Sequence, residues 1–344
     1  MAVSEKTKPA AEGAAARPAK VNILQAINAA MADAMAADDS VLVLGEDVAD
    51  PEEGGVCGVT RGLSSRFGDH RVRSTPISEQ AIIGAAIGAS LVGFRPVAEI
   101  MLMNFTTVAM DMIVNHAAKL RFMSGGQTHV PIVIRTMTGT GFASGGQHCD
   151  YLEAWFAHTA GLKVVAPSSP RDAYGLMRSA IEDPDPVLFI ENLPTYWLAD
   201  EAPESGYRVP IGKANVLAEG SDVTIIAYAR MIQEAAPAIA RLAEAGISAE
   251  LIDLRSIAPW DRAAVLASVA KTGRAMIVHE AVTPFGVGAE IAATLNEELF
   301  GRLKAPVKRL GGAFCPVPFS KPLETAFAPQ TEDIFAAACA LVSA

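Results

Sequence analysis

Apolar residues near the start of the chain recur with the period of a helix. Asn22, with Gln25 three residues later, forms a capping-box pattern that predicts a helix starting at residue 23. The apolar run 41–44, ended by Gly45, predicts a buried strand. The helical stripe consists of residues four apart, namely Ile23, Ile27, Met31 and Met35.

The two patterns then alternate to the end of the chain. Short apolar runs predict strands at 96–101, 131–136, 162–166, 187–191, 223–228, 249–254, 275–279 and 307–310. Helical patterns lie between them at 79–92, 105–123, from Pro170 onward, and at 232–245, 262–272 and 287–299. Ser169 is a suitable N-cap for the helix at Pro170. Strands that alternate with helices favour parallel sheets covered by helices on both faces.

Two segments interrupt this alternation. Residues 1–20 have neither the apolar core of a secretory signal nor the composition of a transit peptide, so we expect a disordered tail. Residues 194–213 are rich in Pro, Gly and acidic residues and have no clear period, which is typical of a linker. The sequence therefore predicts an α/β fold with two domains, residues 21–193 and 214–344, each a mainly parallel sheet with helices on both faces.

Composition narrows the class of protein. The 344 residues are 51% hydrophobic and 19% charged, which excludes a mostly disordered chain. The net charge of −10, without a Lys/Arg-rich run, argues against a nucleic-acid partner. No apolar run reaches the ~18–20 residues of a membrane span. Four cysteines lie far apart with no CxxC pair, so we expect a reduced, cytoplasmic protein.

Common nucleotide, zinc and hydrolase motifs are absent from the sequence. There is no GxxxxGK[ST], no GxGxxG that opens a helix after a strand, no HExxH and no GxSxG. Candidate chemistry must therefore come from less general patterns.

The first such pattern is the segment 75–80. Pro76 keeps the chain extended, Ser78 is a candidate cap for the next helix, and Glu79 falls in its first turn. A carboxylate at this position complements the helix dipole, which on spacing alone is the simpler explanation of Glu79. Gly84 and Gly88 share one face of the same helix. Each glycine destabilises a helix by about 1 kcal/mol relative to Ala, so their presence indicates a close internal contact or a subunit interface.

The second pattern is His148 in the Gly-rich segment 144–150. A loop histidine is accessible and titrates near neutrality, although an ordinary loop histidine is as consistent with the pattern. The adjacent Cys149 suggests a Cys–His nucleophile. We disfavour that interpretation, because neighbouring side chains in an extended segment point to opposite faces.

Taken together, many ordered segments resemble the beta subunit of the thiamine-diphosphate-dependent first component of 2-oxo acid dehydrogenase complexes. This group, of the pyruvate, branched-chain 2-oxo acid and acetoin type, belongs to the transketolase-like superfamily. The resemblance extends from about Val21 to the C-terminus and implies a pyrimidine-binding domain followed by a transketolase C-terminal-like domain. The matching segments are 44–48, 75–79, 93–99, 121–126, 153–156, 161–165, 179–186, 279–281 and 285–291.

The resemblance gives roles to four residues. The carboxyl group of Glu79 would meet the ring nitrogen of the cofactor's aminopyrimidine, and Phe105 would stack against that ring. Glu46 matches an acid of the first βα loop near the cofactor. His148 falls at the family's active-site histidine, which implies proton transfer and orientation of the lipoyl group.

This chain departs from the family pattern directly after His148. The family usually has His-Ser-Gln, whereas Cys149 and Asp150 follow the histidine here. The resulting carboxylate is expected to alter the ionisation of His148, the substrate preference or a partner contact.

The resemblance also implies ions and a second subunit. A potassium site made mainly of backbone carbonyls would use Ile132, Ala180, Ile181, Asp183 and Asp185. A rigid turn at 183–186 explains the same residues equally well. The chain has no Gly-Asp-Gly, the superfamily's motif for magnesium and diphosphate. A separate alpha subunit would then supply Mg²⁺ and the diphosphate half, in a two-alpha two-beta tetramer.

The implied function is decarboxylation of a 2-oxo acid, foremost pyruvate, and transfer of the acyl group to a lipoyl-bearing acyltransferase. The second domain would mainly hold beta–beta and transferase-core contacts. An acetoin dehydrogenase beta subunit is the nearest alternative, since 101–126 resembles those proteins about as well. A non-catalytic scaffold subunit is the other, supported only by the altered loop after His148. The sequence leaves the identity of the 2-oxo acid open.

Overall fold

The structure is a computed structural model in which residues 19–343 are described. Its fourteen strands are β1 Lys20–Asn22, β2 Val41–Gly45, β3 Val72–Ser74, β4 Arg95–Leu102, β5 Val133–Thr138, β6 Lys163–Val165, β7 Val187–Asn192, β8 Ala199–Glu201, β9 Asn215–Ala218, β10 Val223–Ala227, β11 Ala249–Asp253, β12 Ser256–Ala258, β13 Ala275–Val282 and β14 Lys308–Gly312.

Eleven α-helices connect these strands. They are α1 Ile23–Ala37, α2 Leu63–Phe67, α3 Glu79–Leu91, α4 Leu120–Met123, α5 Glu153–Ala157, α6 Pro170–Glu182, α7 Met231–Glu244, α8 Arg262–Thr272, α9 Val287–Glu298, α10 Lys321–Phe327 and α11 Thr331–Ser343. Short 3-10 turns lie at Asp50–Glu52, Met103–Thr107 and Leu193–Thr195, and a π-helix at Met112–Ala117.

Two mainly parallel sheets form the framework. The first has seven strands in the order β12-β6-β7-β5-β4-β2-β3, and the second has five in the order β14-β13-β10-β11-β9. Within these two sheets of the described chain, only the edge strands β12 and β9 run antiparallel to their neighbours. A two-stranded antiparallel pair, β1-β8, completes the topology of the described residues. The predicted α/β fold with two sheets is confirmed.

The strongest local signals in the sequence are also confirmed. The backbone N–H of Gln25 donates to Asn22 Oδ1 at 2.8 Å and that of Asn22 donates to Gln25 Oε1 at 3.0 Å, which closes the capping box. Ser169 Oγ caps α6 by accepting from the backbone N–H of Asp172 at 3.1 Å. The stripe of α1 is fully buried, and this helix packs against α6 on one face of the large sheet.

Two local predictions are wrong. The segment predicted as one helix over 105–123 is a 3-10 turn, a π-helix and a short α4. Ser78 does not cap α3; its hydroxyl donates to the carbonyl of Ile77 at 2.7 Å instead. Strand β8 lies within the predicted linker, and its residue Glu201 pairs with Lys20, the last residue of the predicted tail. Residues 1–18 of that tail lie outside the described residues.

The two sequence domains are not separate in space. Strand β12 follows the second domain's β11 in sequence, yet it pairs with β6 at the edge of the first sheet. One apolar cluster includes Ile134 and Ile190 from the first sheet with Ile252 and Ile277 from the second. Such a shared core holds the two sheets in one arrangement.

A buried ion cluster lies at the centre of the large sheet. Arg135 on β5 donates to Glu99 on β4 at 2.6 Å and to both oxygens of Glu191 on β7 at 2.7 and 2.9 Å. Tyr196 also donates its hydroxyl to Glu191. Removing one partner from such a cluster leaves an uncompensated buried charge, which costs about 3–5 kcal/mol.

Among residues 19–343, no helix is both long and apolar enough to span a membrane.

A buried carboxyl group marks the contact between the domains. The hydroxyl of Tyr228, after β10, donates to Glu153 Oε1 at 2.7 Å. Glu153 Oε2 is buried and has no partner among the described residues. Burial raises the pKa of Glu153 from 4.5 to about 7, so the folded state holds a proton that the unfolded chain has released.

This proton makes the stability depend on pH. Between about pH 4.5 and 7 the folded state binds more protons than the unfolded state, so stability falls as pH rises through this window. Glu153→Gln keeps an acceptor for Tyr228 but has no proton to lose. We expect the variant to gain about 3 kcal/mol relative to the wild type between these limits. Denaturant unfolding of the full chain at several pH values measures this, with the exposed Glu297→Gln as the control. Parallel pH profiles for Glu153→Gln and wild type would contradict the assignment.

Candidate functional site

Two carboxyl groups lie together at the edge of the large sheet that is formed by the carboxyl ends of its strands. Glu46 directly follows β2, and Glu79 is the first residue of α3. Glu79 is 9% exposed, and no hydrogen bond or ion pair from residues 19–343 engages its carboxylate. Burial raises the pKa of Glu46, and the nearby charge of Glu79 raises it further. The site therefore contains the unpaired carboxyl group of a largely buried residue beside a second acid whose pKa is raised.

An aromatic ring and an imidazole follow the carboxyl ends of the two neighbouring strands, at the same edge of the sheet. Phe105 is in the 3-10 turn after β4, and His148 is in the loop after β5. Their ring centroids are 5.7 Å apart with an interplanar angle of 71°, an edge-to-face contact. The Nδ1 atom of His148 is buried and has no partner among the described residues. Because β5, β4 and β2 are adjacent and parallel, their carboxyl ends bring all four predicted residues to one edge.

The unusual residue Asp150 is turned toward Asn104 rather than toward His148. Asn104 Nδ2 donates to Asp150 Oδ2 at 2.9 Å, and the Asp150 backbone N–H donates back to Asn104 Oδ1 at 3.2 Å. The same Nδ2 group also donates to the carbonyl of Gly146 at 3.1 Å. Burial raises the pKa of Asp150, and the hydrogen bond from Asn104 partly offsets this. Asp150 thus joins the loop of His148 to the turn that carries Phe105.

Cys149 has no part in this site. Its side chain is buried with Val317, Phe327 and Ala328 of the second domain. Burial, assisted by the charge of Glu324, raises the pKa of Cys149 to about 11. The thiol is therefore protonated near neutral pH, in agreement with the interpretation that excluded a Cys–His nucleophile.

The loop that carries His148 is held by carboxylates of the second domain. Glu280 on β13 accepts from Thr140 N at 2.5 Å and from Thr140 Oγ1 at 2.6 Å. Glu324 on α10 accepts from Gly141 N at 2.7 Å and from Ala143 N at 3.0 Å. Sequence reasoning missed both contacts. Glu280 lies in a segment that resembles the family but had no predicted role, and Glu324 carries no local signal at all.

The predicted cation site is a loop already rich in charge. Arg95 Nη1 donates to the carbonyls of Ile181 at 2.9 Å and Asp183 at 3.4 Å. Lys163 Nζ lies 2.6 Å from Asp183 Oδ1 and 3.5 Å from Asp185 Oδ2. The carbonyls of Ile181 and Asp183 thus both face the positive charge of Arg95.

Two further carbonyls of the predicted set already accept hydrogen bonds. The Ile132 carbonyl accepts from Val187 N at 3.0 Å and that of Ala180 from Asp183 N at 3.3 Å. A carbonyl oxygen has two lone pairs, so each can still bind a cation. Within residues 19–343, no group of three His, Cys, Asp or Glu side chains is arranged to hold a metal ion.

The edge of the large sheet fits a flat heterocycle with a basic ring nitrogen. The unpaired carboxyl group of Glu79 can share a proton with such a nitrogen, and the half-buried Phe105 offers an aromatic face or edge. The orphaned Nδ1 of His148 provides a further polar group toward a bound molecule.

Comparison with known proteins identifies two transketolase domain families along the chain. The transketolase pyrimidine binding domain family matches residues 19–196, and the transketolase C-terminal domain family matches residues 212–334. A solved split-gene transketolase, in an inactive beta4 tetramer, is similar with a TM-score of 0.77 and 23% identity, over 94% of this chain and 98% of that one. At this identity the likeness supports the fold.

Curated relatives are similar at higher identity. The beta subunit of acetoin:2,6-dichlorophenolindophenol oxidoreductase from Cupriavidus necator is 45% identical over 93% of this chain and 96% of its own length. The mitochondrial pyruvate dehydrogenase E1 component subunit beta-1 of Arabidopsis thaliana is 45% identical over 93% of this chain and 89% of its own length.

Proposed function

The chain belongs to the E1 beta subunits of thiamine-diphosphate-dependent 2-oxo acid dehydrogenases, and on this basis we propose that it takes part in decarboxylating pyruvate and passes the acyl group to a lipoyl-bearing acyltransferase. The observation that carries this proposal is the unpaired carboxyl group of the largely buried Glu79 beside Glu46, at the same sheet edge as Phe105 and His148. A scaffold subunit has no need of this arrangement.

When bound, thiamine diphosphate supplies the nucleophilic carbon and the electron sink for loss of carbon dioxide. We assign to Glu79 the hydrogen bond to the ring nitrogen of the aminopyrimidine, because no protein donor uses its carboxylate. Glu46, whose pKa is raised mainly by burial, lies beside it. Phe105 packs against the ring and excludes water from it.

We assign to His148 a proton-transfer role in acyl transfer to the lipoyl group. Its buried, unpartnered Nδ1 can hold or release a proton, and contact with the edge or face of Phe105 restricts the ring. The hydrogen bonds between Asp150 and Asn104 support the loop that carries it.

The diphosphate and Mg²⁺ half of the site is proposed to come from an alpha subunit, in a two-alpha two-beta tetramer. The chain lacks Gly-Asp-Gly, which supports a second subunit.

Helix α3 also has an exposed side of small and apolar residues that includes Ala81, Ala85, Gly88 and Val92. A Cβ atom at Gly88 would meet no described atom within 4 Å, so the fold itself does not require this glycine. Close approach of a partner explains it.

Replacement of Glu79 tests the catalytic assignment. We expect Glu79→Gln in the assembled enzyme to lower kcat for pyruvate decarboxylation by about 10²–10⁴-fold, because an amide cannot exchange a proton with the ring nitrogen. The rate is measured with an artificial electron acceptor. Glu290→Gln, which changes another first-turn carboxylate at α9, is the matched control for a helix-dipole role. Undiminished activity in Glu79→Gln would overturn the assignment. Turnover of acetoin in place of pyruvate would favour the acetoin-type function.

Cofactor binding tests the division of the site between subunits. By calorimetry with Mg²⁺, we expect tight thiamine diphosphate binding only when this chain is co-purified with its alpha subunit. The chain alone should give no measurable heat, since it provides only the pyrimidine half. Tight binding by the lone chain would contradict the two-subunit proposal, and binding by neither preparation would favour a scaffold.

Potassium is proposed to bind the backbone carbonyls of the loop at the end of α6 through their second lone pairs, in competition with Arg95, which donates to two of them. A cation that binds only the folded state at ten times its Kd stabilises by about 1.4 kcal/mol. We therefore expect Tm to rise by about 3 °C in potassium relative to sodium at equal ionic strength. Scanning calorimetry of the full chain in the two salts measures this difference. Equal Tm values would mean that Arg95 and Lys163 alone neutralise the loop.

A further inference from the structure

We propose that Glu324, in the second domain, is a positioning residue for the active-site loop and thereby sets the reactivity of His148. This inference rests on the proposed function, because it acts through the histidine assigned there. It also extends the role of the second domain beyond subunit contacts.

Glu324 is suited to this role by burial and by its partners. It is only 2% exposed on α10, yet its carboxylate receives no Lys or Arg side chain among the described residues. Its hydrogen bonds come from backbone N–H groups of the loop, Gly141 at 2.7 Å and Ala143 at 3.0 and 3.1 Å. A buried carboxylate satisfied only by backbone donors holds those donors in turn, since each would otherwise be left without a partner.

The loop needs such support because its backbone is unfavourable on its own. Gly139 and Gly141 have φ values of 122° and 127°, and Ala143 has a φ of 54°. The left-handed region is accessible to glycine but is strained for alanine. The N–H groups of Thr140, Gly141 and Ala143 turn toward carboxylates of the second domain, as in a backbone nest for an anion. The carboxylates therefore stabilise a conformation that the loop sequence alone does not favour.

The same end of the second domain packs directly on the next part of the loop. A Cβ atom at Gly145 would lie 2.5 Å from the ring of Phe319, and one at Gly146 would lie 3.0 Å from Pro316. Cys149 packs on Val317. The segment from Pro316 to Glu324 thus contacts the loop before and after His148, whose ring faces Phe105 on the first domain.

Glu280 holds the same loop but is less suited to test the idea. Its carboxylate also accepts from Asn192 at 2.8 Å and lies 3.7 Å from Arg230. Its removal would disturb a wider network between the domains. Glu324 allows the loop to be released with less change elsewhere.

Hydrogen exchange of the full chain tests the anchoring without reference to activity. In Glu324→Ala we expect the amides of Gly141 and Ala143 to exchange at least tenfold faster, because both lose their acceptor. Glu324→Gln, which keeps one acceptor oxygen, should give an intermediate rate. Glu332→Ala, which removes an exposed glutamate paired with Arg241, should leave the loop unchanged. Unchanged exchange in both Glu324 variants would overturn the proposal.

A double-mutant cycle in the assembled enzyme tests the action through His148. Glu324→Ala should lower kcat for acyl transfer to a lipoyl domain by about 10- to 100-fold, with KM for pyruvate little changed. Combined with His148→Ala it should add no further loss, because the positioned group is already absent. Independent, additive losses would overturn the proposal. Glu324→Gln provides the same comparison if the alanine variant fails to fold.

The proposed function and the anchoring of the loop by Glu324 can fail independently. A wild-type assembly without activity on pyruvate or acetoin would refute the proposed function. In that case accelerated exchange in Glu324→Ala would still support the anchoring, whereas the action through His148 would be refuted with it.

Discussion

The candidate site depends on the buried contact between the two sheets. One apolar cluster joins residues of β5 and β7 to residues of β10, β11 and β13, so the second sheet has a defined position against the carboxyl edge of the first. From that position Glu280 and Glu324 reach the loop that carries His148. Without this packing, the loop's backbone N–H groups would lose their acceptors and its left-handed residues their support.

A second constraint acts from within the large sheet. Glu99, Arg135 and Glu191 lie on three adjacent strands and are paired almost entirely out of solvent. Burial and the charge of Glu191 raise the pKa of Glu99, and Arg135 opposes this shift. The charge of Glu99 also contributes to the raised pKa of Glu46 at the candidate site. The ion cluster that orders the strands is therefore electrostatically linked to the residues that would meet the cofactor.

The residues after His148 show how a local departure from a family pattern can be absorbed. Asp150 pairs with Asn104 in the turn before Phe105, and Cys149 fills a small apolar cluster on the second domain. Both residues therefore make contacts that hold the loop. Among the described residues, neither brings a charged group into contact with the imidazole.

Local patterns in the sequence determined the elements with strong periodicity and clear caps, because those elements depend on contacts between residues close in the chain. The capping box at Asn22 and the cap at Ser169 are examples. The order of strands and helices also placed Glu46, Glu79, Phe105 and His148 at strand ends and helix starts. The resemblance to the family then singled these four residues out.

Other features were decided only by the tertiary structure. Strand β12 is three residues long and pairs with the other domain's sheet, so no local period could show it. The irregular turns of 103–123 follow from packing rather than from propensity, and the apolar pattern there predicts a regular helix. Glu324 meets Gly141 from 183 residues away. Such contacts leave no trace in local sequence, because they exist only once two separately patterned sheets have packed together.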